Sequence, residues 1–277
     1  MRRALCNAAG VATIALLVGC GGLREDPILQ YSSAEALEEG KRLLAESKYR
    51  QARPFLSHAF EIEPNSASGR EGLLLAADSM FLDGGQENFV KAESRYRDFV
   101  NRFPTSEHAA YAQFQIGLSL SRRVAKADRD QSVTVKALDA LTDVERFYPG
   151  STYAQQAAEQ ITLLNGRQAE HDYLVGRFYG RFRVPLASMR RFENILETYP
   201  DYEGTDKVLL ALCQLHFTAK DELNLAKAST YCRRLKNEFP ESPLVRKIPK
   251  SLPLDLEVPV EDEAPDDSAR QPADTGL

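Results

Sequence analysis

Five prolines divide the chain into repeats of 40 to 51 residues and constrain its fold more than any other feature. Small or apolar side chains stand twelve, eight and five residues before each of Pro64, Pro104, Pro149, Pro200 and Pro240. These triplets are Ala52, Leu56 and Ala59; Ala92, Tyr96 and Phe99; Ala137, Leu141 and Val144; Ser188, Phe192 and Ile195; and Ala228, Cys232 and Leu235. Steps of four and three place each triplet on one face of a helix. Each helix is expected to end before its proline, because the residue preceding proline is disfavoured in the α region.

Another helix, which precedes the proline-terminated helix in each repeat, is indicated by the surrounding residues. Gly40 and Gly176 stand twenty-four residues before Pro64 and Pro200, where a small residue lets two helices approach closely. Serines two residues after four of the prolines are suited to cap the following helix: Ser66, Ser106, Ser151 and Ser242. No segment shows sustained strand alternation. We therefore predict an all-α solenoid of about five helix pairs over residues 34–247.

The offsets of glycine, alanine, aromatic residue and proline resemble those of the tetratricopeptide-repeat (TPR) family, from about Ala34 to Ser242. Extra residues are expected near Gly84-Gly85 and Lys220, and an insertion from Arg122 to Thr134. A long helix from about Thr152 to Tyr179 would account for the 51-residue interval. The resemblance implies a concave surface, lined by the first helix of each repeat, that binds peptides of other proteins.

The N-terminus resembles the signal of bacterial lipoproteins. Arg2 and Arg3 precede the apolar stretch Val11 to Gly19, which is too short to span a bilayer, and Leu17-Val18-Gly19-Cys20 matches a lipobox. The resemblance implies a signal peptide at 1–19, lipidation of Cys20 and a linker at 20–33. The alternative is an ordinary secretory signal with a chance cysteine. Gly21 favours sorting to the outer membrane, where the lipid would be the only membrane anchor.

Charge is unevenly distributed along the chain. The whole sequence has 35 basic and 40 acidic residues, a net charge of −5, which gives no support to nucleic-acid binding. Eight acids and one base fall in Ser251–Leu277, so the segment Cys20–Lys250 is neutral. We predict a disordered, acidic, proline-rich tail over 248–277, which either solubilises the protein or interacts with a partner.

Catalytic and cofactor motifs are not recognisable in the sequence. The histidines His58, His108, His171 and His216 are scattered, and no metal-binding pair, phosphate loop or nucleophile elbow occurs. We predict a protein that is not an enzyme and has no cofactor, metal or small-molecule substrate. Cys213 and Cys232 are expected to be two buried thiols rather than a disulfide.

Helical phase relative to Gly40, Ala77 and Gly117 identifies candidate residues for the concave surface. Six side chains are expected to face inward as peptide-binding residues: Lys41, Asp78, Phe81, Tyr111, Phe114 and Arg122. Aromatic and charged groups suit a peptide with both apolar and polar parts. The alternative is that the aromatic residues belong to the core, since aromatic stripes at helical spacing are commonly buried.

Three segments resemble the BamD family of outer-membrane β-barrel assembly lipoproteins: Gly40 to Ala52, Asp128 to Gln131 and Tyr173 to Pro200. The resemblance implies a periplasmic scaffold at the outer membrane. Its first repeats would bind unfolded outer-membrane protein segments, and its C-terminal half would dock a BamA-like, barrel-forming subunit. Glu63 before Pro64 and the acidic tail depart from the family pattern.

Two other functions remain as alternatives. One is a different TPR lipoprotein of the envelope, either a secretin or pilus pilotin or an adaptor for cell-wall or division proteins. The other is an enzyme or ligand-binding protein whose site the sequence does not display.

Overall fold

A computed structural model describes residues 27–258. This part of the chain holds ten α-helices, two short 3-10 helices at Pro27–Gln30 and Pro243–Lys247, and no strand. The α-helices are α1 Ser33–Ala45, α2 Tyr49–Ile62, α3 Ala67–Asp83, α4 Gln86–Arg102, α5 Ala109–Ser121, α6 Ser132–Phe147, α7 Thr152–Arg181, α8 Pro185–Thr198, α9 Thr205–Ala219 and α10 Glu222–Glu238. Residues 1–26 and 259–277 lie outside the described part, and with them the predicted signal, Cys20 and most of the acidic tail.

The helices form five consecutive pairs, α1 with α2 through α9 with α10. Each second helix also packs against the first helix of the next pair, and the first helices contact one another from α1 to α3 and from α5 to α7. This is the stacking of a TPR-like α-solenoid. The predicted fold class is confirmed.

The five prolines end helices as predicted. Helices α2, α4, α6, α8 and α10 each stop two residues before a proline. The residue before the proline has φ between −126° and −133°, outside the helical region. Ser66 and Ser151 cap α3 and α7 by accepting from the third residue along, and Ser242 caps the second 3-10 helix. Ser106 is not an N-cap, because α5 begins only at Ala109, after a turn that places His108 at the cap.

Three glycines set the distance between paired helices. A Cβ atom added to Gly40 would lie 2.4 Å from Leu56 Cδ2 and one on Gly117 would lie 2.5 Å from Leu141 Cδ2. One on Gly176 would lie 2.6 Å from Phe192 Cε1. In these repeats the large residue eight positions before the proline packs directly on a glycine.

The fifth repeat makes the corresponding contact with a covalent bond, which corrects our prediction of two free thiols. Cys213 and Cys232 form a disulfide with their Cα atoms 5.4 Å apart. The three extra residues near Lys220 lengthen the turn, so the small-residue position opposite Cys232 shifts from residue 216 to residue 213. Both cysteines are fully buried.

The third and fourth repeats carry the predicted irregularities. The insertion forms a loop between α5 and α6, in which the Gln131 side-chain amide donates to the carbonyls of Lys126 and Arg129 at 2.9 Å each. Helix α7 is 30 residues long, close to the predicted span. Its His171 Nδ1 lies 2.6 Å from the carbonyl oxygen of Ala127, joining the inserted loop to α7.

The last repeat is covered by the segment after α10. Leu244 and Val245 pack near Leu209 and Leu235. Further along the chain, Leu252 is 5% exposed and packs beside the disulfide. Leu254 and Leu256 join the same cluster, together with Phe217 and Leu225. The packed part of the chain therefore extends beyond the predicted boundary at 247, because this segment buries apolar surface that an end repeat would otherwise expose.

Candidate functional site

The six predicted peptide-binding residues lie on the first helices of repeats one to three, or just after them. Asp78 joins three helices: its Oδ1 accepts hydrogen bonds from the hydroxyls of Tyr96 on α4, at 2.6 Å, and Tyr111 on α5, at 2.8 Å. Tyr96 is fully buried, and Tyr111 also accepts from the Gln115 amide at 2.7 Å. The carboxylate of Asp78 thus holds α3, α4 and α5 together.

Burial controls the protonation of this cluster. It raises the pKa of Asp78 above its ordinary value, although the hydrogen bonds from the two tyrosines act in the opposite direction. Burial and the neighbouring Asp78 carboxylate also raise the pKa values of Tyr96 and Tyr111. Both tyrosines therefore remain hydroxyl donors at neutral pH.

Arg122 and Phe114 line a groove between α5 and α7, and Phe81 lies beside Arg122. The Arg122 guanidinium is exposed and stands 5.9 Å from the ring centroid of Phe81. Phe114 is only 6% exposed and contacts the ring of Tyr153, so it forms part of the core beneath the groove.

The α5–α7 groove has a volume of about 460 Å³. Its wall on α7 includes Leu163, which is 62% exposed, and the exposed Arg167. The prediction did not include these two residues, since it extrapolated only from the small contact residues of the first three repeats.

Lys41 lies apart from the other five residues. Its ammonium bridges Glu71 on α3 at 2.9 Å and Glu38 on its own helix at 3.3 Å. Partial burial disfavours the charge, yet the two carboxylates outweigh it and hold the pKa of Lys41 above its ordinary value. Lys41 therefore already has two ionic partners within the fold.

A second surface, which the sequence analysis did not identify, surrounds the turn between α7 and α8. Arginines and large apolar side chains are exposed together there, and we call this surface the arginine–phenylalanine patch. It consists of Arg177, Phe178, Arg181, Phe182, Arg183, Val184, Leu186, Arg190 and Arg191. Phe182 is 62% exposed, Leu186 59%, Phe178 55% and Val184 44%.

The patch is strongly basic. The twenty residues from Tyr173 to Phe192 contain five arginines and no acid, which is the sequence signal that could have revealed it. Within the described residues, one of the five forms an ion pair: Arg191 binds Asp172 at 2.9 Å. The rings of Phe178 and Phe182 lie 4.5 Å apart and form a continuous apolar surface beside these charges.

The histidines are engaged in structural contacts or scattered on the surface. His58 Nε2 lies 3.2 Å from the carbonyl oxygen of Tyr31, and His216 stacks on Tyr231. Burial and the nearby Glu193 raise the pKa of Tyr231 to about 12. Between residues 27 and 258, no group of three metal-ligating side chains comes together. No helix in that range is long and apolar enough to cross a membrane.

Comparison with known proteins gives one family. A model of the YfiO family, described as "Outer membrane lipoprotein", matches residues 30–235. The outer membrane protein assembly factor BamD of Rickettsia prowazekii is 28% identical over 184 residues, covering 66% of this chain and 72% of the relative. The same factor of Caulobacter vibrioides is 26% identical over 213 residues, covering 76% and 69%.

A more distant relative covers more of the chain. The BamD of Vibrio cholerae is 23% identical over 250 residues, covering 82% of this chain and 95% of the relative. A solved TPR protein of Thermus thermophilus is 18% identical, covers 78% of this chain and 95% of its own, and has a TM-score of 0.34, too low to add to the fold. The predicted resemblance to BamD is confirmed, and the chain belongs to the YfiO family of outer membrane lipoproteins.

Proposed function

We propose that this chain is a lipid-anchored scaffold on the periplasmic face of the outer membrane that takes part in the assembly of outer-membrane β-barrel proteins. Membership of the YfiO family and the similarity to BamD assembly factors support this role. The exposed arginine–phenylalanine patch carries the proposal as a structural observation, because an apolar surface ringed by charged side chains is typical of a protein interface.

The patch is the proposed docking surface for a barrel-forming, BamA-like subunit. Arg181 and Arg183 are exposed and have no ion pair among the described residues, so an acidic surface on the partner would supply their counter-charges. Phe178 and Phe182 would provide the apolar centre that such interfaces need.

The α5–α7 groove is the proposed site for unfolded outer-membrane protein segments. Leu163 offers an exposed apolar contact, while Arg122 and Arg167 offer donors to backbone carbonyls or side chains of an extended peptide. Asp78 and Tyr111 are engaged with each other, so their proposed role is to position α5, which lines the groove. The proposed role of Lys41 is to hold α1 against α3 through Glu71.

The docking proposal is tested by purification from detergent-solubilised membranes. Replacing Arg181 and Arg183 together by glutamate should abolish co-purification of the barrel-forming subunit while the helical circular dichroism is unchanged. Replacing Arg95 by glutamate is the matched control, since Arg95 is exposed on α4 and has no ion pair among the described residues. Retention of the partner by the double variant would refute the docking surface.

The anchor is tested separately. Cys20 lies outside the described residues, and its lipidation rests on the lipobox. Replacing Cys20 by alanine should move the chain from the membrane fraction to the periplasmic fraction. Retention in the membrane fraction would contradict the proposed lipidation.

A further inference from the structure

We infer that the arginine–phenylalanine patch is covered, in the protein without its partner, by the acidic tail of the same chain. The occupant is the segment 259–277, which follows the described residues. Three observations support this: charges of opposite sign, the place where the described chain ends, and the length of the segment that follows.

Charge complementarity is the first observation. The patch carries five arginines without an acid between Tyr173 and Phe192. Residues 259–277 carry six acids and one base, a net charge of −5, and five of those acids fall within Glu261–Asp267. The patch and the tail are therefore local excesses of opposite sign, and their attraction acts over about a Debye length of 8–10 Å at physiological salt.

The end of the described chain is the second observation. After α10 the chain passes from Leu209 and Leu235 at one end of the fifth repeat to the level of the disulfide. Leu254 and Leu256 then join the cluster that contains Phe217 and Leu225, which flank the α9–α10 turn. The chain thus leads towards that turn.

The α7–α8 turn, where the patch lies, is at the same end of the neighbouring repeat. Helices α7 and α9 run in the same direction, because each is the first helix of an antiparallel pair and α8 packs on α9. Neighbouring helix axes are about 8–10 Å apart.

Length is the third observation. An extended chain spans about 3.3–3.6 Å per residue, so Glu261–Asp267 lies within about 30 Å of Val258. That reach comfortably includes a turn in the adjacent repeat. The tail has few large apolar residues. Its carboxylates would therefore neutralise the charges of the arginines, while Phe178 and Phe182 would be covered only in part.

Zero-length cross-linking of the purified chain in neutral detergent tests the contact directly. Arg181→Lys preserves the charge and supplies an amine that a carbodiimide can join to a carboxylate in contact. We expect cross-links from this amine to the peptide that contains Glu261–Asp267. Arg95→Lys, on an exposed face of α4, is the matched control and should give background yield.

Two perturbations should reduce the yield from Arg181→Lys to that background. One is 1 M salt during the coupling, where the Debye length is about 3 Å. The other is neutralisation of the tail by Glu261→Gln, Asp262→Asn, Glu263→Gln, Asp266→Asn and Asp267→Asn. Equal cross-linking yields in the two lysine variants would overturn the inference. A yield that depends on protein concentration would also overturn it, and would assign the patch to contact with a second copy of the chain.

A fluorescence measurement distinguishes the tail from a membrane surface. The chain has no tryptophan, so Phe182→Trp gives a single reporter in the patch. Tail neutralisation should increase its quenching by acrylamide, and Phe147→Trp, at a position 60% exposed on α6, should not respond. If neutralisation of the tail leaves the quenching unchanged, but vesicles of anionic phospholipid reduce it, the inference would be overturned in favour of a lipid surface. Neither experiment requires the partner subunit, so their outcome is separate from that of the docking proposal.

Discussion

The first three repeats and the α7–α8 turn use similar residue types in opposite ways. In the first three repeats, Asp78 accepts from two tyrosines and Lys41 binds two glutamates, so these two charged groups are partnered within the fold. At the turn, Arg181 and Arg183 have no ion pair among the described residues, and Phe182 is mostly exposed. An aromatic or charged residue on a first helix is therefore a weak indicator of a binding site until its internal partners are known.

The length of α7 explains why the second region is left open. Its 30 residues span about 45 Å, whereas the 16 residues of α6 span about 24 Å. Helices α5 and α6 therefore cover only part of α7, and its C-terminal end is packed by α8. Arg177 and Phe178 lie at this less covered end of α7, so their side chains are exposed without the loss of a buried contact.

The sharpest test of the comparison is Phe114→Ala. Phe114 is 6% exposed, so its removal should cost about 3–5 kcal/mol of unfolding free energy through lost burial and a cavity. Urea denaturation followed by circular dichroism measures this loss, and Phe114→Leu should retain most of the stability. A loss below about 0.5 kcal/mol, the range of exposed substitutions, would place Phe114 in the groove instead.

Removal of the disulfide should have the next largest effect. Replacing Cys213 and Cys232 together by alanine releases a loop of about twenty residues and should cost about 3 kcal/mol. Thermal melts with and without reductant measure the same effect in the unaltered chain. If reductant leaves the melting temperature unchanged, the stability of the fifth repeat does not depend on the disulfide.

Asp78→Asn tests whether the hydrogen bonds of Asp78 stabilise the first three repeats. The loss of unfolding free energy should be smaller, about 1–2 kcal/mol at pH 7, because hydrogen bonds to a carboxylate are replaced by weaker ones. Burial raises the pKa of Asp78 in the folded protein above its ordinary value of 3.8. A group of this kind contributes stability that is present at low pH and is lost as pH rises through the folded pKa.

The stability gap between the unaltered chain and Asp78→Asn should therefore widen as pH falls from 7 towards 4. Urea titrations of both proteins across this range provide the measurement. A gap that narrows as pH falls would indicate that hydrogen bonding, rather than burial, sets the protonation of this carboxyl.

The sequence predicted the architecture better than the surface. Prolines end helices by a local steric effect, so the ends of α2, α4, α6, α8 and α10 could be read directly from their positions. Gly40 and Gly176 followed from the same spacing. The contact of Cys213 did not follow from this spacing. Three extra residues in the α9–α10 turn shift the position opposite Cys232 by almost one helical turn and bring the two sulfurs together.

Exposure depends on contacts between repeats, which periodicity does not specify. Phe114 and Phe178 both lie on first helices, yet one is buried against α7 and the other is left uncovered. The acid-free run from Tyr173 to Phe192 was available in the sequence, but its significance depends on the exposure of the α7–α8 turn. Only the packing of α7 distinguishes an exposed surface from a buried helix face here.

The smallest effect on stability is expected where the effect on binding should be largest. Phe182→Ser should change the unfolding free energy by no more than about 0.5 kcal/mol, because the side chain is 62% exposed and its ring lies beside that of Phe178. The same substitution should weaken co-purification of the partner, since an exposed aromatic residue beside exposed arginines is the type of group that dominates interfaces. Phe147→Ser is the control of equal exposure on α6. If both stability and partner recovery are unchanged, the exposed side chains of the α7–α8 turn are no more functional than the partnered ones of the first three repeats. The contrast between the two regions would then be one of packing alone.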